Sequence, residues 1–300
     1  MLSRIPQSRK EFICGWGAGC IETCTLFPLN KLIFRQQLHG VVFGVAFGQL
    51  RSEGISLLYR GLLPPLIMRT TTRALMFGMY DEFCRALKCQ RNHSLSAVTP
   101  CHAIAGLLAG SMEAVLCPLE RVQVLLQSSA FHKRFENSAH ALKVVARIGP
   151  REMYRGLTLV VFRNGLSNAV FFSLRDPLRN SLLAYNGSGV SEISNKRIPT
   201  SLALFSADFI SGAILGAVIS TVFFPINVVK QRMQSTMETK FLSGWRVLNL
   251  IWEERNRRLI GLYRGAQLNF TRSLISWGIT NSVYELLRRL YEQRSPWLKL

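Results

Sequence analysis

The chain has 300 residues, and its 37 Lys and Arg against 17 Asp and Glu give a formal net charge of +20. In a soluble protein that balance points to a polyanionic partner. Here, however, 48% of residues are hydrophobic and only 18% are charged, with a positive mean hydropathy of +0.18. These values exclude a basic soluble domain and fit apolar runs separated by basic loops, as in a multi-span membrane protein.

In chain order, residues 1–10 are short and basic and lack the apolar core of a cleavable secretory signal. Six segments nearly free of charge follow, at 12–30, 61–80, 95–119, 156–174, 202–229 and 265–283. Each is long enough to be read as a membrane span. Two of them hold interior prolines, which membrane helices tolerate better than soluble ones.

Four landmarks recur three times in the same order. A Gly-x-x-x-Gly pair comes first, at Gly15/Gly19, Gly106/Gly110 and Gly212/Gly216. A proline with a polar or acidic residue two places on ends each odd span, at Pro28/Asn30, Pro118/Glu120 and Pro225/Asn227. A glutamine lies nine residues after each proline, at Gln37, Gln127 and Gln234. Tyr-Arg-Gly opens each even span, ending at Gly61, Gly156 and Gly265. Self-similarity at a fixed period is the signature of a repeat architecture, so the chain reads as three tandem helix–loop–helix units. The small-residue pairs permit close helix approach, the prolines kink the odd helices, and the Tyr-Arg-Gly glycines leave helix N-terminal amides open to an anion such as a lipid phosphate.

The loops inside the repeats, taken as 31–60, 128–155 and 230–264, carry 4, 6 and 8 Lys and Arg. The positive-inside rule places these loops on one side and both termini on the other. Charge inside the spans is sorted: the odd spans hold Glu22, Glu113 and Asp208, the even spans Arg69, Arg73, Arg163 and Arg272. Because an isolated charge in hydrocarbon costs at least about 2.5–3.5 kcal/mol, this sorting predicts a water-filled central cavity with cationic contact points. Several arginines converging there suit a phosphate-bearing substrate, since guanidinium engages phosphate oxygens bidentately.

Other chemistry is not supported. Of the seven cysteines, Cys14, Cys20, Cys24, Cys101 and Cys117 lie in apolar runs and none shows C-x-x-C spacing. Buried thiols are therefore expected rather than a disulfide framework or zinc site. The five histidines form no H-E-x-x-H pattern, and neither a P-loop nor a G-x-G-x-x-G turn is present, so neither a metal site nor a catalytic set is predicted.

Across nearly its whole length the chain resembles the mitochondrial carrier family. The family's signature P-x-[DE]-x-x-[KR]-x-[KR]-x-Q, followed by [DE]-G-x-x-x-x-[YWF]-[KR]-G, reads here PLNKLIFRQQ…EGISLLYRG, PLERVQVLLQ…IGPREMYRG and PINVVKQRMQ…RRLIGLYRG. The segments FRQQLHG, TTTRALMFGMYDE, FRNGLSNAVFFSLR, FFPINVVKQR and RSLISWGIT look like the animal branch of that family, which moves NAD into mitochondria. The resemblance implies an all-α membrane protein of six transmembrane helices in three tandem pseudo-symmetric repeats, with short matrix helices. The repeats would span 1–95, 96–198 and 199–300, with helices near 12–38 and 61–88, 97–127 and 156–183, 202–234 and 265–292. It further implies a multi-pass inner-membrane protein acting as a monomer, without enzymatic activity or cofactor, transporting NAD into the matrix by alternating access. Cardiolipin would bind at Gly61, Gly156 and Gly265.

Residue by residue, the family's matrix ring of acids falls on Asn30, Glu120 and Asn227, and its bases on Ile33, Gln123 and Lys230. Only Glu120 with Lys230 stays ionic, Asn30 with Gln123 can form a neutral hydrogen bond, and Gln37, Gln127 and Gln234 are the braces. The cytoplasmic ring reads Tyr80-Asp81-x-x-Cys84, Arg175-Asp176-x-x-Arg179 and Tyr284-Glu285-x-x-Arg288. Asp81–Arg179 and Asp176–Arg288 can pair while Glu285 faces Cys84, so the cytoplasmic gate is expected to be the stronger. At the family's mid-membrane contact level lie Arg163, Arg272 and Met68 with Arg69 beside it. Asn164, Arg73, Asn168 and Trp277 extend this set, and Glu113 would balance the cationic nicotinamide ring. Neither the arginines nor the gates separate NAD from an adenine nucleotide, coenzyme A or thiamine diphosphate. The degenerate matrix ring would also suit a transport-inactive adaptor, against which the cavity arginines argue.

Overall fold

The computed structural model describes residues 7–89, 100–131, 133–193 and 200–294, and among these it is helical with no strand. The first repeat comprises α1 (Gln7–His39), α2 (Phe43–Glu53), α3 (Ile55–Leu58) and α4 (Leu63–Ala86). The second begins with α5 (Pro100–Met112), which passes through a tighter turn at Glu113–Leu116 into α6 (Cys117–Gln127). It continues with α7 (Ser138–Ile148), α8 (Pro150–Met153) and α9 (Leu157–Ile193). The third holds α10 (Thr200–Val222), α11 (Phe224–Gln234), α12 (Gly244–Glu254), α13 (Leu259–Leu262) and α14 (Ala266–Arg294).

The three prolines act differently on the odd helices. Pro28 is carried inside an unbroken α1. Ahead of Pro118 the helix tightens by one turn at Glu113–Leu116. At Pro225 the bend is largest, with α10 and α11 meeting at 62°. Removing one amide and crowding the preceding turn is the common cause, and the neighbours of each proline set the outcome.

The long helices close a ring: α1 packs on α4, α4 on α5, α5 on α9, α9 on α10, α10 on α14 and α14 on α1. Large apolar residues such as Ile67, Val115, Phe162, Val218 and Val222 point outward and stay exposed, as a lipid-facing surface requires. On the basic-loop side, α2, α7 and α12 repeat one design. Each buries an i, i+4 pair, Ala46/Leu50, Ala141/Val145 and Val247/Ile251. Those pairs lie on one face of a helix and seat it against Leu32, against Val122 with Leu125, and against Phe224 with Val228.

Tested for length and hydropathy alone, the described residues yield two spans, Pro100–Gln127 and Pro150–Arg175, and a third if the bent pair Ile210–Val222 and Phe224–Gln234 is joined. Helix α4, with Arg69, Arg73, Asp81, Glu82 and Arg85 in its sequence, and α14, with Arg272, Glu285 and Arg288, are less apolar along their length. One expectation is corrected, that for the cysteines. Cys101 is not a free buried thiol but is bonded to Cys89, joining the chain just after α4 to the start of α5. The chain reversal between the first two repeats brings these residues together, with their Cα atoms 5.7 Å apart.

Candidate functional site

A cavity of about 500 Å³ lies inside the helix ring, within the range of roughly 300–1,000 Å³ typical of small-molecule sites. The even helices supply Pro65, Met68 and Thr72 from α4, Arg163 from α9, and Asn269 and Arg272 from α14. Odd-helix residues complete the wall, among them Thr23, Phe34 and Ser220. Met68, Arg163 and Arg272 are the three residues at the shared repeat position, and they line this one cavity from three different even helices. Arg163 donates to Asn164 Oδ1 at 2.9 Å, while its buried Nε has no hydrogen-bond partner. A buried guanidinium N–H left unmatched is uncommon, and here it borders the cavity.

The same cavity reaches the matrix-side ring, where Asn30, Ile33, Gln37, Glu120, Gln123, Gln127, Asn227 and Lys230 line it. Lys230 donates to Glu120 in the one ion pair that the ring retains among the described residues. Gln234 Nε2 lies 3.5 Å from the other Glu120 oxygen. Asn30 and Gln123 line the cavity without bonding to each other. Gln37 Oε1 and Gln127 Nε2 are buried without hydrogen-bond partners.

At the opposite end, Tyr80 stacks on Phe172 with ring centroids 3.6 Å apart. Its hydroxyl lies 2.8 Å from His102 Nδ1. Asp81 is exposed. The side chains of Asp176, Arg179, Tyr284, Glu285 and Arg288 lie outside the described residues, as do those of Arg69, Arg73, Asp208 and Trp277.

Two buried acids have protein partners. Glu22, fully buried, accepts from Ser276 and from Thr280 Oγ1 (3.0 Å), tying α1 to α14. Glu113 is not among the cavity-lining residues. It accepts a 2.7 Å hydrogen bond from Asn168 Nδ2 and so joins the odd and even helices of the second repeat.

The sequence model of the mitochondrial carrier protein family matches residues 6–91, 96–186 and 203–295, one match for each repeat. The chain belongs to the mitochondrial carrier family. It is similar to the human mitochondrial nicotinamide adenine dinucleotide transporter SLC25A52, with 45% identity over 278 residues, 93% of this chain and 88% of that one. Similarity to the mouse mitochondrial nicotinamide adenine dinucleotide transporter SLC25A51 is 44% over 281 residues, 94% of this chain and 89% of that one. Human solute carrier family 25 member 53 is 33% identical over 292 residues, 95% of this chain and 89% of that one. As a mitochondrial carrier, the chain is a multi-pass protein of the mitochondrial inner membrane.

In this carrier the Tyr-Arg-Gly motifs work between repeats. Gly61, Gly156 and Gly265 have φ of +86°, +85° and +92°, a region that disfavours any side chain. A Cβ at Gly61 would meet Leu126 at 3.1 Å, at Gly156 Gln234 at 3.4 Å, and at Gly265 Gln36 at 3.1 Å. Each glycine thus abuts the odd helix of the next repeat, the third abutting the first. The adjoining arginines reach the same way: Arg60 donates to Phe135 O, Arg155 to Lys240 O at 3.0 Å, and Arg264 to Gly40 O. Arg255 adds a 2.5 Å bond to Gln37 O. Burial, followed by the charge of Arg264, pulls the Arg255 guanidinium below its ordinary pKa, yet it stays charged.

Sequence reasoning missed Thr72, Ser220 and Asn269 in the cavity wall. Two of them were within reach of the repeat argument: Thr72 is one helical turn beyond Met68, and Asn269 one turn before Arg272.

Proposed function

We propose that this carrier transports NAD across the inner membrane into the matrix by alternating access. The observation that carries the reading is Arg163 and Arg272 facing one central cavity from the same repeat position, in a chain about 45% identical to proteins named as NAD transporters. Two guanidiniums at that level suit the two phosphates of a dinucleotide. Arg69, Arg73, Asn164 and Trp277 complete the substrate set, with Trp277 stacking on a base or nicotinamide ring. Glu113 acts by holding Asn168, which shares its level with Arg73 and Trp277.

The repeats divide at about 95 and 198, NAD is cargo rather than cofactor, and the carrier works as a monomer without catalysis. Glu120, Lys230, Asn30, Gln123, Asn227 and the three glutamines form the matrix gate. Tyr80, Asp81, Asp176, Arg179, Tyr284, Glu285 and Arg288 form the cytoplasmic gate, the stronger of the two, so the resting carrier favours closure there. Cardiolipin phosphates sit at the helix starts after Gly61, Gly156 and Gly265.

The test is uptake of labelled NAD by the purified carrier in liposomes, in competition with its reduced form, its precursors, adenine nucleotides, coenzyme A and thiamine diphosphate. Saturable NAD uptake that unlabelled NAD suppresses best is the expected result. Robust uptake of another solute without NAD uptake overturns the substrate, and no uptake of any solute favours an adaptor.

A further inference from the structure

Outside the cavity, at the end of the ring remote from the basic loops, Cys84 on α4, Cys89 just beyond it, and Cys101 and His102 on α5 come together. A ligand atom from each of Cys84, Cys89 and His102 lies within 4.8 Å of the others. Cys84 Sγ is 3.7 Å from His102 Nδ1, and the Cys89–Cys101 disulfide adds a fourth donor atom, a sulfur bonded to one of the three.

Three sulfurs and one imidazole are the donor set of a closed tetrahedral zinc site. With Zn–S near 2.3 Å and Zn–N near 2.0 Å, the S···N edge of such a tetrahedron is about 3.6 Å, close to the separation already present. The ligands come as two pairs, Cys84 with Cys89 and Cys101 with His102, each on one side of the turn between repeats. Their spacing is not C-x-x-C, and the hairpin rather than the sequence assembles them. A structural role explains the disulfide, and His102 holds the Tyr80 hydroxyl, but neither accounts for a third sulfur, that of Cys84, beside them.

We propose that Cys84, Cys89, Cys101 and His102 form a redox-controlled site for a soft divalent cation of the Zn²⁺ class. In the disulfide form, two of the four donors are bonded to each other and the site cannot chelate. Exchange with two equivalents of a thiol such as glutathione breaks the S–S bond, gives Cys89 and Cys101 as thiols, and releases the oxidised thiol as its own disulfide. The cation then replaces three thiol protons and takes one imidazole nitrogen. Either state ties α4 to α5, but only the chelated state also draws in Cys84 and His102. His102 Nδ1 meets the Tyr80 hydroxyl, and Tyr80 stacks on Phe172, so ligation through that nitrogen would release the hydroxyl and couple the site to the aromatic contact at that end of the cavity.

The test uses the full-length carrier in detergent, as isolated after oxidation and after reduction by a phosphine removed before titration. Zn²⁺ is titrated against a chromophoric chelator, and Co²⁺ serves as a spectroscopic stand-in for thiolate ligation. The reduced carrier should bind one more tight equivalent than the oxidised carrier, with a sulfur-to-cobalt charge-transfer band. Cys84→Ser and His102→Ala should each weaken binding by about tenfold or more. The reduced quadruple variant Cys84→Ser/Cys89→Ser/Cys101→Ser/His102→Ala retains the remaining free thiols and sets the background. Equal binding by the oxidised and reduced carrier, or by the reduced carrier and the quadruple variant, overturns the proposal. So does binding indifferent to His102→Ala. Comparing two redox states of one chain makes the result independent of whether any variant folds.

Discussion

Gly19 and Gly110 are each the second glycine of a Gly-x-x-x-Gly pair, nine and eight residues before their prolines, and they should respond to alanine in opposite ways. A Cβ at Gly110 would lie 2.4 Å from Asn164 O, 2.6 Å from Asn164 C and 2.8 Å from Gly165 N, whereas at Gly19 nothing lies within 4 Å. The obstructing atoms are backbone atoms of α9, so no rotamer change relieves the clash and the helices must separate. Forcing a methyl into a packed contact costs about 1–3 kcal/mol, and a backbone obstruction belongs in the upper half of that range. At roughly 2–4 °C per kcal/mol for chains of this order of size, Gly110→Ala should lower the unfolding temperature by about 4–12 °C. Gly19→Ala meets no obstacle and recovers helix propensity worth up to about 1 kcal/mol, so it should be neutral or slightly stabilising. Thermal unfolding of the detergent-solubilised carrier, followed by a thiol-reactive dye, reads both variants in one experiment. Because Asn164 adjoins Arg163, Gly110→Ala should also reduce NAD uptake at temperatures where the protein remains folded. Equal shifts for the two glycines would refute the close approach of α5 and α9.

Other perturbations follow from the same geometry. Arg163→Ala and Arg272→Ala should each weaken NAD uptake by about tenfold to a hundredfold, the equivalent of losing one charge-assisted hydrogen bond of about 1.5–3 kcal/mol, with lysine rescuing only in part; competition curves in liposomes measure this. Glu120→Gln leaves Lys230 without its counter-charge, and the expected loss is about 2–3 kcal/mol. That is below the 3–5 typical of deeply buried pairs because the Glu120 side chain is 21% exposed. Pairing it with Lys230→Met should recover much of the loss, and strict additivity of the two thermal shifts would contradict the ion pair. Glu113→Gln should lower NAD uptake and uptake of a purely anionic nucleotide alike, since Glu113 holds Asn168 rather than the cavity wall; a loss confined to NAD would return the charge-balancing role to this carboxylate. Gly156→Ala should cost about 1–2 kcal/mol through its positive φ and blunt the thermal stabilisation produced by added cardiolipin, read by the same dye assay.

The repeat structure was legible because its landmarks are chemically distinctive and evenly spaced. A constant interval of 13 residues before the gate acids, with the contact level that the family resemblance implies, pointed to Met68, Arg163 and Arg272, which line one cavity. The Glu120–Lys230 pair followed from the ring of ion pairs that the family resemblance implies, of which it alone keeps both charges. What escaped depends on contacts between segments distant in the chain. Glu113 carries a charge that sequence alone assigns to the nearest polar space, and only the packing of α5 on α9 reveals Asn168 as its partner. The acid of the family's second motif is replaced by Ile148, and Glu152 takes over, binding Arg121 at 2.5 Å and Arg155 at 2.9 Å. A motif search stops at the missing acid, whereas burial of two arginines in one place demands a carboxylate nearby. Cys89 and Cys101, 12 residues apart, lie on opposite sides of the turn between repeats and fit no common ligand spacing.

The arginine and glycine contacts between successive repeats form a cycle with no free end. Each repeat holds the loop of the next, and Arg264 reaches back to Gly40. A chain emerging from synthesis can make the first two of these junctions in order, but the last joins its final third to its first. The barrel therefore has no stable two-repeat intermediate with every junction satisfied, and truncation before Tyr263 should disable the first repeat as surely as the third. During transport the same closure forbids one repeat from tilting alone. Any movement at one junction is passed around the circle to the other two, so the gates respond to substrate as a single mechanical unit.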